Sequence, residues 1–466
     1  MIEATFAAFG IGGLLLFRFM APAGAVATIC MAGWLLLPVG HFPPGSAEAD
    51  FPYWITGVAI PSDMLLTKMW WPPVVALAGV LLADRQVLGR WRPCWMDTPI
   101  LLWCVWPLGQ WPLAEQPSPQ PWISSLYLAA AWGAPWLLGR LYFSGSEGGV
   151  RLLRAISAGL VLLAPIALLE GFLGPRLYSW VYELHPFRYD GIQRYFGFRP
   201  LGFFEDGNQY GIWVAATALA AIWQWRANYE SSAKFRFAAA ATVGLAIALA
   251  SQSVGAILLL FAGLGLLRTM GHPLMRRMIW VVLILALGGG AIYLSGAIPF
   301  QKVAKDTAVG RTILDLARSA GRQSITWRIA RDQRALTLVA KHPVVGTGRW
   351  NWWQQNGERP WGLAVLILGQ FGVVGLLLAS GTFLFPLVRA LNVKRAFSNL
   401  YRHSEGPLAT IVLMSLCDAL LNSFIFYPAI LAAGALVSKE SVPALGQIRS
   451  CLGNAHKQTR PSDNEQ

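Results

Sequence analysis

The feature that most constrains this chain is a recurrence of apolar runs. Each is about 15 to 20 residues long, and short basic links separate them along nearly the whole sequence. In hydrocarbon every backbone N–H and C=O must be paired within the segment, so such runs are helical. They lie near 4–18, 23–41, 70–84, 98–114, 122–139, 154–174, 209–225, 237–251, 253–267, 278–296, 362–388, 407–424 and 426–438. The first two are closely spaced, so the expected count is twelve or thirteen transmembrane helices in an all-α polytopic membrane protein. The first run follows an acidic Ile2-Glu3 start without a positive leader region, and it reads as a retained span.

The short links set an orientation. Arg85, Arg90 and Arg92 fall in one link, and Arg140, Arg151 and Arg154 in the next on the same side. Arg226, Lys234 and Arg236 follow, then Arg268, Arg276 and Arg277, and finally Arg389, Lys394, Arg395 and Arg402. All alternate onto one face, which the positive-inside rule makes cytoplasmic. The chain then divides into N-terminal spans (1–174), a first long outer loop (175–209), central spans (210–296), a large outer loop (297–361), C-terminal spans (362–438) and a polar cytoplasmic tail (439–466). The formal net charge of +14 points to anionic lipid rather than nucleic acid, because most of the chain is apolar.

The large loop is the longest polar interval. It carries Lys302, Lys305, Arg311, Arg318, Arg322, Arg328, Arg331, Arg334, Lys341, Arg349 and Arg359 against Asp306, Asp315, Asp332 and Glu358. Such charge suits a plain solvated helix face, or a site for an anionic ligand. The second reading gains from the excess of arginine, whose planar fork fits phosphate, and from the neighbouring Trp350, Trp352 and Trp353. Spacing predicts helices over about 306–320 and 324–341, the latter capped by Ser324 and ended by His342-Pro343. On it Ile329, Leu336 and Ala340 share one face and Arg328, Arg331 and Arg334 another.

The smaller loop mixes Arg188, Arg194 and Arg199 with Glu183, Asp190, Glu205 and Asp206 among many aromatic residues. That mixture suits a sugar site or, equally, anchoring at the membrane interface. The five cysteines form no C-x-x-C pair, and no D-x-D or H-x-x-x-H spacing marks a metal site, so no cofactor or metal is expected.

Three stretches resemble a known family. R-P-L-G-F-F-E-D-G-N-Q-Y-G (Arg199 to Gly211) resembles a signature of the O-antigen ligase and polymerase superfamily. W-R-I-A-R-D…K-H-P-V-V-G-T-G (Trp327 to Gly348) resembles its loop motif, and Ser251 to Ala256 is similar to its Ser/Gly-rich turn. The resemblance covers about 190 through 390. It implies a GT-C-like glycosyltransferase of the bacterial inner membrane, active on the periplasmic side, with an undecaprenyl-pyrophosphate-linked oligosaccharide as donor. Carried over by position, Arg199 and Arg328 would hold the pyrophosphate. The ligases carry a histidine eleven residues before a glycine; counted back from Gly372, that position here is Trp361, which favours a polymerase over transfer to lipid A core.

The residues expected to carry the chemistry are therefore Arg199 and Arg328 for the leaving group, with Glu205 and Asp206 to orient or deprotonate the acceptor. Arg322, Arg331, Arg194, Trp327 and Asn208 are expected at the substrate. For each carboxylate an ion pair with a neighbouring arginine is an equal alternative. Expected partners are the lipid-linked donor, the growing glycan as acceptor, membrane lipids and a chain-length regulator. A ligase and a lipid-linked glycan flippase are the competing readings; the flippase is disfavoured by the lack of an internal repeat.

Overall fold

The computed structural model describes residues 2–39, 58–59, 65–115, 120–182, 185, 193–194, 197–269, 273–319, 324–354, 359–392, 403–420, 422–424 and 426–437. The expected tail at 439–466 and Arg322 lie outside the described residues.

The regular structure is helical apart from two short hairpins. The first part of the chain runs α1 (Ile2–Phe19), α2 (Pro22–Leu36), the hairpin β1 (Val58–Ala59) and β2 (Leu65–Leu66), α3 (Trp71–Ala83) and α4 (Thr98–Gln110). It continues with α5 (Pro121–Leu128), joined by a π turn to α6 (Ala134–Tyr142), then α7 (Gly145–Ala158), α8 (Leu160–Leu173) and α9 (Leu177–Val181). The hairpin β3 (Gln193–Arg194) and β4 (Gly197–Phe198) leads to α10 (Gly207–Ala227), α11 (Lys234–Ala250), α12 (Val254–Thr269) and α13 (Pro273–Leu294). The large loop holds α14 (Phe300–Asp306), α15 (Ala308–Ser319) and α16 (Ser324–Val339). The last helices are α17 (Leu363–Asn392), α18 (Glu405–Ala419) and α19 (Tyr427–Leu436).

Among the described residues, three stretches are long and apolar enough to cross a membrane: Ile2–Phe19, Gly145–Leu173 and Leu363–Leu391. Five further apolar helices are shorter, at 10–17 residues. The chain is thus mainly helical, and its apolar helices suit association with a membrane. Proline interrupts some of these runs (Pro107 in α4, Pro165 in α8) and removes a helix donor each time. The outer surface agrees with a lipid neighbour: Phe172, Phe19, Leu82 and Val161 are each at least 77% exposed.

At the centre stands α10. Its buried residues include Ala215, Ala216, Ala218, Ala220 and Ala221, small side chains that let α7, α8, α11, α12 and α18 approach closely. Around it, α19 packs on α6, α17 and α18, while α1, α2 and α3 pack on one another and join the rest through α3 on α6 and α2 on α7. Arg140, one of the link arginines, is buried in an ion pair with Asp97, Nε–Oδ1 3.0 Å and Nη2–Oδ2 3.1 Å.

The opposite end of α4 reaches the large loop. There Gln110 Nε2 donates to Val345 O (2.7 Å) and Gln370 O (2.6 Å). Helix α17 is interrupted at Gly372, where φ is +67°. Residues 343–348, a turn with positive φ at Gly346 and Gly348, lie along this interruption as its partner. Thr347 N donates to Gly369 O (2.9 Å), Gly348 N to Gln370 O (3.0 Å), Val373 N to Pro343 O (2.9 Å) and Val374 N to Val344 O (3.2 Å). The H-P-V-V-G-T-G stretch therefore repairs the backbone of a broken membrane helix, the one way irregular backbone is tolerated there.

Candidate active site at the junction of two loops

The first loop is fastened from below. Glu170, near the end of α8, is 1% exposed and accepts Leu201 N and Gly202 N on Oε2 (both 2.7 Å) and Leu177 N on Oε1 (3.2 Å). One carboxylate thus pins the beginning and the end of the loop. Lys68, just before α3, is fully buried and donates from Nζ to Phe203 O (2.7 Å) and Trp34 O (3.4 Å). Its ammonium lies 4.3 Å from the Phe204 ring centroid and 5.1 Å from that of Trp34. These two residues fix the Leu201–Phe204 turn and so present Glu205.

The rest of the 199–211 motif builds the start of α10. Asp206 caps the helix, accepting Asn208 N and Gln209 N (both 2.8 Å) and Asn208 Nδ2 (3.0 Å). Gln209 Oε1 accepts Glu205 N at 3.0 Å. Arg199 is 4% exposed; its Nε donates to Ser251 O and its Nη2 to Asn208 Oδ1, both at 3.2 Å. Its guanidinium occupies the space a Cβ at Gly207 would need, which accounts for glycine there. The 251–256 turn closes on the same group, with Gln252 in the left-handed region (φ +51°) and Ser253 against Gly211.

In the second loop, α16 buries a stripe that differs from the predicted one. Arg328, Asp332, Ala335, Leu336 and Val339 face the protein, whereas Ala340 is exposed and Ile329 half-buried. A charged residue can sit on this inner stripe because partners wait for it. Asp332 accepts Trp361 N (2.6 Å) and Gly362 N (3.1 Å) on Oδ1 and the Tyr293 hydroxyl (2.9 Å) on Oδ2. Burial raises its pKa, and these hydrogen bonds and Arg328 oppose the rise. Arg328 donates from Nη1 to Asn422 Oδ1 (2.8 Å), and Asn422 Nδ2 donates in turn to Asp418 Oδ1 (2.6 Å). Asp418, near the end of α18, thus holds the amide that receives Arg328.

Two indoles complete the wall. Trp327 and Trp361 meet with centroids 5.1 Å apart; Arg331 lies over Trp327 at 4.4 Å and Arg328 over Trp361 at 5.1 Å. Arg359 donates from Nη2 to Ser423 Oγ at 3.2 Å.

The loops meet electrostatically across Glu205 and Arg359. Burial pushes the Glu205 carboxyl up to about 7; Arg359 and Lys68 oppose that rise and Asp206 adds to it. Burial also pulls the Lys68 ammonium down to about 7, against the attraction of Glu205. Arg359 feels burial first, then Glu205, Arg331 and Asp206, with a net lowering from its ordinary value. A part-buried carboxyl thus sits among Lys68, Arg359 and Asp206, and Arg331 adjoins the same group of charges.

Of the residues expected from sequence, Glu205 and Arg331 lie at this junction. Arg328 and Trp327 stand in its wall, and Asp206 and Asn208 form the cap beneath it. Arg199 donates to Ser251 and Asn208, and the electrostatic coupling between the two loops runs through Glu205 and Arg359. The side chain of Arg194 lies outside the described residues. Sequence reasoning did not assign Lys68, Glu170, Arg359 or Asn422. Two signals were present: a lone lysine in L-L-T-K-M-W-W, and a carboxylate at the end of an apolar run. Among the described residues, no group of three His, Cys, Asp or Glu is placed to hold a metal.

No protein-family model matches the chain, and no curated protein matches it. The likeness to the O-antigen ligase and polymerase superfamily rests on the three stretches quoted above.

Proposed function

We propose that this chain is a GT-C-like, multi-pass glycosyltransferase of the bacterial inner membrane. It would polymerise undecaprenyl-pyrophosphate-linked oligosaccharide units, for an exopolysaccharide or O-antigen, on the periplasmic face. The observation that carries this reading is the junction itself: Arg328 and Arg331 lie on aromatic walls, Arg331 is coupled to Arg359, and Arg359 acts on a carboxyl whose pKa is lifted to about 7. That pairing suits the departure of a pyrophosphate and the activation of a hydroxyl.

In this mechanism the acceptor hydroxyl attacks the anomeric carbon of the donor sugar. The new glycosidic C–O bond forms as the bond from that carbon to the pyrophosphate oxygen breaks. The hydroxyl proton passes to Glu205, and the pyrophosphate leaves with the bonding electron pair. Arg331 and Arg359 meet its developing charge, and Arg328, held by Asn422, backs them. Asp206 and Arg199 shape the turn that aims Glu205. The helical loop covers the junction and excludes water.

The test uses purified protein in proteoliposomes with the lipid-linked repeat unit of its own bacterium, with products sized on a gel. A ladder that Arg328→Ala loses is the expected result. A single discrete transfer to lipid A core would replace the polymerase with a ligase. Movement of substrate across the bilayer without glycan extension would overturn the enzymatic reading.

A further inference from the structure

A second cleft opens at the far end of α16, with a volume of about 250 Å³. Lys341, His342 and Arg349 line it together with Glu115, Asn351 and Gln354. From Arg328 to Lys341 the chain advances by on the order of 20 Å at helical rise, so this cleft is separate from the loop junction. One wall is tied down by His342 Nε2 and Glu115 Oε2, 2.9 Å apart, which joins the segment after α4 to the end of α16. That contact gives His342 a role beyond ending a helix.

The lining has a definite chemical bias. Among the described residues that line it, Glu115 is the one carboxylate and is engaged by His342, whereas Lys341 and Arg349 are both exposed cations. Asn351 Nδ2 donates to Gln354 Oε1 at 3.1 Å, so the two amides hold each other in a fixed orientation. Thr347 adds a hydroxyl to the rim. Oriented amides and a hydroxyl match the many hydroxyls of a sugar, and two cations beside them match an acidic substituent. The floor is rigid, because residues 343–348 are hydrogen-bonded along the break in α17.

We infer that this cleft binds an acidic saccharide, one bearing a carboxylate or phosphate group. The site is independent of the proposed transfer, since binding there requires no reaction. The experiment is titration calorimetry of the full chain in detergent with tetragalacturonate, with maltotetraose and inorganic phosphate as the neutral and sugar-free probes. The expected result is saturable tetragalacturonate binding. It weakens at least tenfold in the Lys341→Gln/Arg349→Gln double variant and persists in Arg331→Ala, and both other probes bind far more weakly. Both substituted residues of the double variant are exposed, and an unchanged elution profile and melting temperature establish that it folds. The inference is overturned by absence of binding, by equal binding in the double variant, by loss in Arg331→Ala alone, or by equal affinity for maltotetraose or phosphate.

Discussion

Gly346 and Gly372 meet backbone to backbone: a Cβ on Gly346 would strike the amide of Gly372, and a Cβ on Gly372 would strike Val344 O. Both have positive φ, +80° and +67°. A loop glycine and a glycine inside the 362–388 apolar run are two halves of one joint, through which the large loop is mounted on α17.

Gly372→Ala must therefore bear both a strained φ and a backbone collision. We expect a loss of about 2–4 kcal/mol, read as a fall of several degrees in the melting temperature of the detergent-solubilised protein. Gly288→Ala in α13, where nothing lies within 4 Å, serves as the control and should be neutral or slightly stabilising. Equal melting temperatures for wild type and Gly372→Ala would refute the joint.

Glu170→Ala should leave the amides of Leu177, Leu201 and Gly202 without their acceptor. A cost of about 2–4 kcal/mol is expected, together with faster proteolytic nicking within 175–209 than elsewhere. If nicking stays uniform, the carboxylate does not fasten that loop.

Arg328→Lys should not restore what Arg328→Ala loses. An ammonium cannot both reach Asn422 Oδ1 and spread over the Trp361 ring as the guanidinium does. The expected loss of polymer is about 100-fold or more in either variant, the order of one essential charge stabiliser. Near-full activity of the lysine variant would argue for a simple surface charge at this position.

Stability should carry the signatures of Glu205 and Lys68. Between its ordinary 4.5 and about 7, Glu205 holds a proton in the folded chain that the unfolded chain has released, so stability falls as pH rises through that window. Between about 7 and 10.5, Lys68 has released a proton that the unfolded chain still holds, so stability rises with pH there. Glu205→Gln is expected to flatten the lower limb and Lys68→Met the upper one in melting curves taken across pH. Wild-type transfer activity should climb as pH passes about 7, where Glu205 becomes a base. A lower limb that persists unchanged in Glu205→Gln would remove Glu205 as its source.

Much of the architecture was legible from residues alone. Apolar runs too long for loops had to become helices, because unpaired backbone groups are too costly in hydrocarbon. The helices of the large loop followed from periodicity, and the expected 306–320 segment corresponds to Ala308–Ser319. The arginine-rich loop and the Glu205–Asp206 pair stood out because charge is rare in this chain. Helix continuity was less legible, since the Gly372 break interrupts the backbone of a segment that reads as one regular helix.

What the sequence alone determined was the inventory: which stretches are apolar, where the charges gather and which motifs recur near them. What the tertiary structure decided was which of those charges meet. Lys68 reaches Phe203 O across 135 positions of chain, and Arg328 reaches Asn422 across 94. Local spacing carries no information about such pairs. The inner face of α16 shows the reason: apolar periodicity places Arg328 outside, yet Asn422 and Trp361 satisfy it inside. A buried charge costs free energy until its partners are in place, and only the assembled fold supplies them.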